Sequence, residues 1–219
     1  MKSHFHQQLE ALRMIVLQMA AKTERAMERA LKALNERDEV LAQEVIDGDQ
    51  EINELELEID RLSLKLLALE QPMARDLRFI VGSIRMSIDL ERIADQAVNI
   101  AQRAKFLCQR PPLEPLPALQ RLADTAMDML RVAVASFMNG NVNQARDVCQ
   151  MDDDADEMNS RVLRTMIEYM IEESRTVERA VQTIIVARCL ERVADQTTNI
   201  AENVIFIVDG VNIKHHCET

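Results

Sequence analysis

Apolar residues recur at helical spacing in six long stretches of the chain, about 9–34, 40–69 and 77–107, then about 119–138, 142–171 and 177–208. The breaks between them carry turn chemistry: residues 35–38, Gln71-Pro72, Asn139-Gly140-Asn141 and the neighbourhood of Ser174. Four of the five prolines fall in Pro111-Pro112-Leu113-Glu114-Pro115-Leu116-Pro117, which cannot continue a helix. The pattern predicts an all-α fold of six long helices, with residues 1–110 and 118–219 as two three-helix repeats and residues 111–117 as the linker. Short connections make successive helices antiparallel neighbours, so each repeat reads as an up-down-up bundle, the two related by a pseudo-twofold axis.

The halves also match residue by residue. Leu90-Glu91-Arg92-Ile93-Ala94-Asp95-Gln96-Ala97-Val98-Asn99-Ile100-Ala101 aligns with the segment Leu190 to Ala201 at an offset of 100, with nine of twelve positions identical. Earlier in each half the offset becomes 103, setting Asp49 and Asn53 against Asp152 and Asp156. Three residues therefore separate the two offsets within the middle helix of the second half.

Composition narrows the function. Aromatics are 3% with no Trp, and a formal net charge of −11 repels phosphate backbones and anionic lipid, which argues against nucleic acid as a partner. No apolar stretch approaches a membrane span, and the N-terminus lacks the apolar core of a signal peptide. Cys108, Cys149, Cys189 and Cys217 form no CxxC pair, so their spacing suggests neither bridge nor zinc, and a reducing cytoplasm is the expected compartment. His4, His6, His215 and His216 sit at the chain ends. Interior chemistry would have to rest on carboxylates, and with no Gly-rich phosphate loop or GxSxG an enzyme has little to stand on and no catalytic residue is assigned.

At 100° per residue, Glu91, Asp95 and Asn99 occupy about 0°, 40° and 80° on the third helix, facing away from the apolar arc of Leu90, Ile93, Ala97 and Ile100. The sixth helix repeats this with Glu191, Asp195, Asn199 and Glu202 on its outer arc. The second helix carries Asp49, Asn53, Glu56 and Asp60, and the fifth carries Asp152 and Asp156. A hairpin folded about Pro72 sets Asp49 opposite Asp95 and Asn53 opposite Glu91. One folded between Glu173 and Ser174 sets Asp152 opposite Asp195 and Asp156 opposite Glu191.

Two readings of these stripes stand: a solvated acidic surface whose charge is spread by Arg92, Arg192 and water, or two cages whose mutual repulsion is relieved by a cation. Oxygen-only donors prefer hard ions such as Mg²⁺, Mn²⁺, Ca²⁺ or ferric iron over zinc. The candidate metal residues are Asp49, Asn53, Glu91, Asp95, Asp152, Asp156, Glu191 and Asp195, with Asn99 and Asn199 peripheral. The Glu-x-x-His pairs of di-iron bundles are absent, so binding rather than oxygen chemistry is expected.

The tandem Glu-Arg-Ile-Ala-Asp-Gln-Ala-Val-Asn-Ile-Ala and Glu-Arg-Val-Ala-Asp-Gln-Thr-Thr-Asn-Ile-Ala segments, with the Asp49/Asn53 and Asp152/Asp156 pairs, resemble the PhoU family over essentially the whole chain. The resemblance implies a cytoplasmic, dimeric negative regulator of the phosphate regulon. Its implied partners are the ATPase of a phosphate ABC transporter and a sensor histidine kinase, without established catalysis. It also implies metal, as iron clusters or as Mn²⁺ or Mg²⁺, at Glu91 and Asp95, Glu191 and Asp195, and Asp152 and Asp156. Asn53 departs from the pattern by leaving the first site one carboxylate poorer, which implies weaker binding there. Ala94 and Ala194 stand where the family often has Gly. The functional alternatives are a metal-buffering protein and, more distantly, a carboxylate-metal hydrolase.

Overall fold

A computed structural model describes residues 4–211 and 213. Its helices are α1 (His4–Glu36), α2 (Glu39–Gly48), α3 (Gln50–Glu70), α4 (Ala74–Cys108), α5 (Pro117–Asn139), α6 (Val142–Glu172) and α7 (Val177–Asp209), with a 3₁₀ turn at Ser174–Thr176. The six predicted helices are thus present, the second being divided into α2 and α3 at Gly48-Asp49. Asp49 itself keeps helical dihedrals (φ −62°, ψ −33°), and its carbonyl accepts from both Ile52 N (2.9 Å) and Asn53 N (3.2 Å). The division is therefore a tightened turn at a glycine, the weakest helix former after proline, rather than a loop.

The connections follow the chemistry of their residues. Asp38 caps α2 by accepting from Leu41 N at 2.9 Å, and Asn141 caps α6 by accepting from the amides of Asn143 and Gln144. Gly140 ends α5 in the left-handed region (φ 63°), and Pro117 opens that helix, where a missing N–H costs nothing. Arg37, at φ 58°, donates to the carbonyls of Leu107 and Cys108 at 2.7 and 3.1 Å and to that of Arg110, tying the end of α1 to the end of α4. Thr176 does not cap α7: its hydroxyl donates back to Tyr169 O and Glu173 O, closing the end of α6.

Each half is a three-helix bundle, α1 with α2/α3 and α4, and α5 with α6 and α7. The central helices α4 and α7 pack along each other, and the buried apolar side chains form one continuous cluster through both halves. Their register is antiparallel, fixed by Arg78 Nε donating to Ile207 O (3.3 Å), Asn203 Nδ2 to Asp89 Oδ2 (3.3 Å) and Arg103 Nη1 to Gln182 Oε1 (3.1 Å). Gly82 permits that approach, because a Cβ there would lie 2.4 Å from Ile207 Cγ1.

Two sequence expectations are corrected. Cys149 is disulfide-bonded, while Cys108 and Cys189 are free thiols. Separation along the chain sets no limit on distance in space, so spacing alone could not exclude a bridge. Glu202, assigned to an outer arc, is 9% exposed, because α7 has α4 as a neighbour as well as α6. His215, His216 and Cys217 lie outside the described residues.

The two interior glycines make opposite predictions. Gly82→Val overpacks the α4–α7 contact and should lower the unfolding free energy by about 2 kcal/mol. Gly48→Ala, with nothing within 4 Å of the new methyl, should raise it by about 0.5–1 kcal/mol. Midpoints of urea denaturation at constant slope check both.

Candidate metal centre

The first carboxylate row lies on the α3–α4 hairpin. Ile52, Leu55 and Ile59 on α3 and Leu90, Ile93 and Ala97 on α4 are buried, and these positions turn Asn53, Glu56, Glu91 and Asp95 to the margin of the contact between the helices. Asn53 and Glu91 are half-buried there, and Asp95 is exposed. Asn53 Nδ2 donates to Asp49 Oδ2 at 2.9 Å, so the residue that breaks the symmetry of the motif already satisfies one carboxylate oxygen.

The electrostatics tie the row together. Partial burial pushes the Glu91 carboxyl above the usual range, and the negative charges of Asp95, Glu56 and Asp49 add to the rise. Asp95 is raised by burial and then by Asp49, and Glu56 by burial and then by Asp60. Asp49, Glu91 and Asp95 thus lie near enough for their charges to act on one another. Glu56 joins them.

The second row lies on α6 and α7 and is the more strained. Asp152 is pushed up to about 6 from an ordinary 3.8, first by burial and then by Asp195, Asp156 and Asp153, with the neighbouring Thr198 side chain opposing the rise. Burial and Asp195 raise Glu191, and burial and Asp156 raise Asp195. Asp156 and Asp195 thus each act on both Asp152 and Glu191, and Asp156 acts on Asp195. Asn199 lies elsewhere: it lines a cleft of about 240 Å³ between α4 and α7 with Arg85, Asp89, Arg92, Glu202 and Asn203.

Among the described residues, no three His, Cys, Asp or Glu side chains converge closely enough to hold an ion as they stand. What the helices supply is proximity and a repulsion that Arg92, Arg188 and Arg192 only partly relieve. The donor set is oxygen alone, the set that hard cations prefer, while the side chains as placed do not converge on one.

Three contributors stand outside the metal residues read from sequence. Glu56 was placed on the acidic stripe, as the i+7 neighbour of Asp49, but not in the cage. Thr198 stands where the first repeat has Val98, a polar departure inside an otherwise matching motif. Arg192, whose charge lowers Asp95 of the first row as well as Asp195 and Glu191 of the second, could be placed between the rows only once α4 and α7 were seen side by side.

The fold and the rows define a class: an all-helical tandem-repeat protein displaying a carboxylate cluster on each repeat. The PhoU domain matches residues 16–104 and 119–204, one copy per repeat, and the chain belongs to the PhoU family. A relative from Aquifex aeolicus, described as a phosphate-specific transport system accessory protein PhoU homolog, is 37% identical over 208 residues, 95% of this chain and 94% of its own. One of the same description from Pseudomonas putida is 36% identical over 212 residues, 96% of this chain and 83% of its own. The crystal structure of PhoU from Pseudomonas aeruginosa superposes with a TM-score of 0.92 at 34% identity, covering 95% of this chain and 100% of that one. That of the phosphate transport system regulatory protein PhoU from Streptococcus pneumoniae gives 0.89 at 25% identity, covering 95% and 99%.

The raised Asp152 carboxyl carries a sign. Its folded value of about 6 lies above the ordinary 3.8, so its ionisation destabilises the metal-free fold fully above pH 6, and the penalty fades as pH falls toward 4. Asp152→Asn should stabilise the metal-free protein at pH 7.5 by about 1 kcal/mol, a figure discounted for partial exposure. It should also flatten this residue's share of the stability gain between pH 7 and 5, as thermal melts of both proteins across that range would report.

Proposed function

We propose that this chain is a cytoplasmic negative regulator of phosphate uptake and of the phosphate regulon, acting as a metal-binding adaptor without catalysis of its own. In this reading it restrains the ATPase subunit of a phosphate ABC transporter when phosphate is ample and holds a sensor histidine kinase in its non-activating state. The observation that carries it is the match of both repeats to relatives described as accessory proteins of the phosphate-specific transport system. Among the described residues no helix is long and apolar enough to cross a membrane, which suits an adaptor that meets the transporter at its ATPase. The disulfide at Cys149 removes the cysteine argument for a reducing compartment, so the cytoplasmic placement rests on the proposed partners. Large apolar side chains exposed at the hairpin tips, Met73 at 80% and Ile171 at 79%, offer surface for those partners or for a second copy in a homodimer.

The metal part of the proposal assigns Asp152, Asp156, Glu191 and Asp195 to one site and Asp49, Asn53, Glu91 and Asp95 to the other, with Mg²⁺, Mn²⁺ or iron as the ion. A bound cation would supply positive charge where carboxylates now oppose one another. Glu56 offsets part of the deficit at Asn53, so the tighter binding proposed for the second site rests on the greater repulsion around Asp152. A metal-buffering role is the alternative, and the two carboxylate rows would serve it equally.

Deleting the gene should leave phosphate uptake high in phosphate-rich medium, and affinity capture of the protein should retain the transporter ATPase or the kinase. Intact phosphate control with altered cellular manganese or iron would favour the buffer instead. In vitro, calorimetric titration of Mn²⁺ should show saturable binding, weakened about tenfold or more when Asp156→Ala and Asp195→Ala remove two charged ligands. No saturable heat, or heat indifferent to those changes, would remove the metal reading.

A further inference from the structure

We infer that the outer face of the α3–α4 hairpin docks an amphipathic helix of a partner protein, with apolar side chains seated toward the hairpin tip and Lys or Arg side chains on the carboxylates beyond. The inference rests on the adaptor reading above and gives the adaptor a docking surface.

One helical stripe on each helix builds the face. On α4, Leu77, Val81, Ile84 and Ile88 recur at i, i+4, i+7 and i+11, and the same line continues into Glu91 and Asp95. On α3, Leu67 and Leu64 lead in the same way into Asp60 and Glu56. The turn at residues 71–73 sets Leu67 level with Leu77, Leu64 beside Val81 and Asp60 level with Ile84. Leu64 is 63% exposed, Leu77 41% and Ile88 38%, with Leu67, Val81 and Ile84 half-buried between them. Apolar side chains scattered singly need no partner, but six on two packed helices form a contiguous patch with a polar rim, the mark of a contact surface. The inner face of the same two helices holds α1, and the outer stripe has the spacing that accepts another helix. From Leu77 to Asp95 it runs about 27 Å, the length of a helix of about five turns.

Charge selects the occupant. Glu56, Asp60, Glu91 and Asp95 border the patch at its inner end, and no Lys or Arg lies on either stripe. The nearest cations on α4, Arg85 and Arg92, line the cleft with α7, where Arg85 lies 4.9 Å from the centre of the Phe206 ring. Arg92, beside Glu91, is one cation against four carboxylates. Glu56 and Asp60 lie outside the proposed metal ligands, so they stay available with the row loaded or empty. The second repeat supplies a contrast. On α7, Val177, Val181 and Ile184 hold the equivalent places, but Arg188 stands where α4 has Ile88. On α6, Asn159 and Leu163 stand where α3 has Glu56 and Asp60. The first hairpin is thus the one that favours a basic helix. A hairpin of a second copy is disfavoured there, since residues 49–95 and 152–195 each carry eleven acids and six bases and would bring like charge to the face. Anionic lipid and nucleic acid meet the same repulsion. A helix with an apolar side and a basic end satisfies both parts of the face.

The test uses the full chain and a labelled synthetic helical peptide with leucines at i, i+4, i+7 and i+11 followed by two turns of lysines, read by fluorescence anisotropy. The peptide should bind one to one, more weakly as salt rises, and about tenfold or more tighter than a scrambled peptide of the same composition. A Leu64→Ser, Leu77→Ser double variant, altered only at exposed positions and checked for fold by circular dichroism, should lose about tenfold in affinity. A Glu56→Gln, Asp60→Asn variant should lose affinity and part of the salt dependence. Ile88→Arg should weaken binding, whereas Val181→Ser on the second hairpin should leave it unchanged. Equal binding of the scrambled peptide, or binding indifferent to the α3–α4 substitutions, overturns the inference. So does self-association in sedimentation that the leucine variant abolishes, which would assign the face to a second copy, and so does flotation with anionic vesicles that it abolishes, which would assign the face to a membrane. If the leucine variant still captures the transporter ATPase or the kinase as the unaltered chain does, the adaptor reading stands and this surface falls. If the unaltered chain captures neither, both fall.

Discussion

The structure depends on apolar burial strong enough to hold like charges together. Raising Asp152 to about 6 represents about 1 kcal/mol of opposition to folding at neutral pH after allowance for solvent. Against it stand Val148, Ala155 and Val162 on α6 and Val186, Leu190 and Val193 on α7, none more than 1% exposed. Each of the larger ones contributes about 1.5–3 kcal/mol on burial, so the core outweighs the repulsion several times over. The carboxylates do not choose their positions. They are carried there on helices whose other faces are buried.

The same logic explains why the repeat motif is conserved between the halves of this one chain in its apolar as well as its acidic letters. Ala94 and Ala194, each 1% exposed, stand directly before Asp95 and Asp195 and keep the helix faces slim at the height of the rows. Larger side chains there would push the helices apart and dissolve the electrostatic group. Packing and site are therefore one constraint, written into Glu-Arg-x-Ala-Asp-Gln as two buried positions flanked by outward-facing ones.

That is also why so much was legible in the sequence. Helix periodicity with fixed spacing gives the angular position of every side chain, and a hairpin about a known turn adds height, so the partnership of Asp49 with Asp95 and of Asp152 with Asp195 follows from counting. Counting fails where a third helix matters. Glu202 shares the arc of Glu191 yet is buried, because the packing of α7 on α4 cannot be derived from either hairpin alone. Arg192 fails in the opposite direction: read as a local charge-spreader, it acts on both rows because the seam carries it across to Asp95. Cys149 could not be read at all, since a bridge depends on distance in space and the spacing of cysteines gives only distance along the chain.

The seam gives the repeat a purpose that a single bundle could not have. One three-helix unit presents a carboxylate row with its own arginine alongside, a self-neutralising surface. Packing two such units antiparallel puts Arg192 of the second beside Asp95 of the first, so that one guanidinium faces acids of both rows. A change of charge in one row then alters what Arg192 offers the other, without any helix having to move. Two rows coupled through Arg192 can respond together where two isolated rows would respond separately, and that coupling is a property of the duplicated architecture rather than of any one residue.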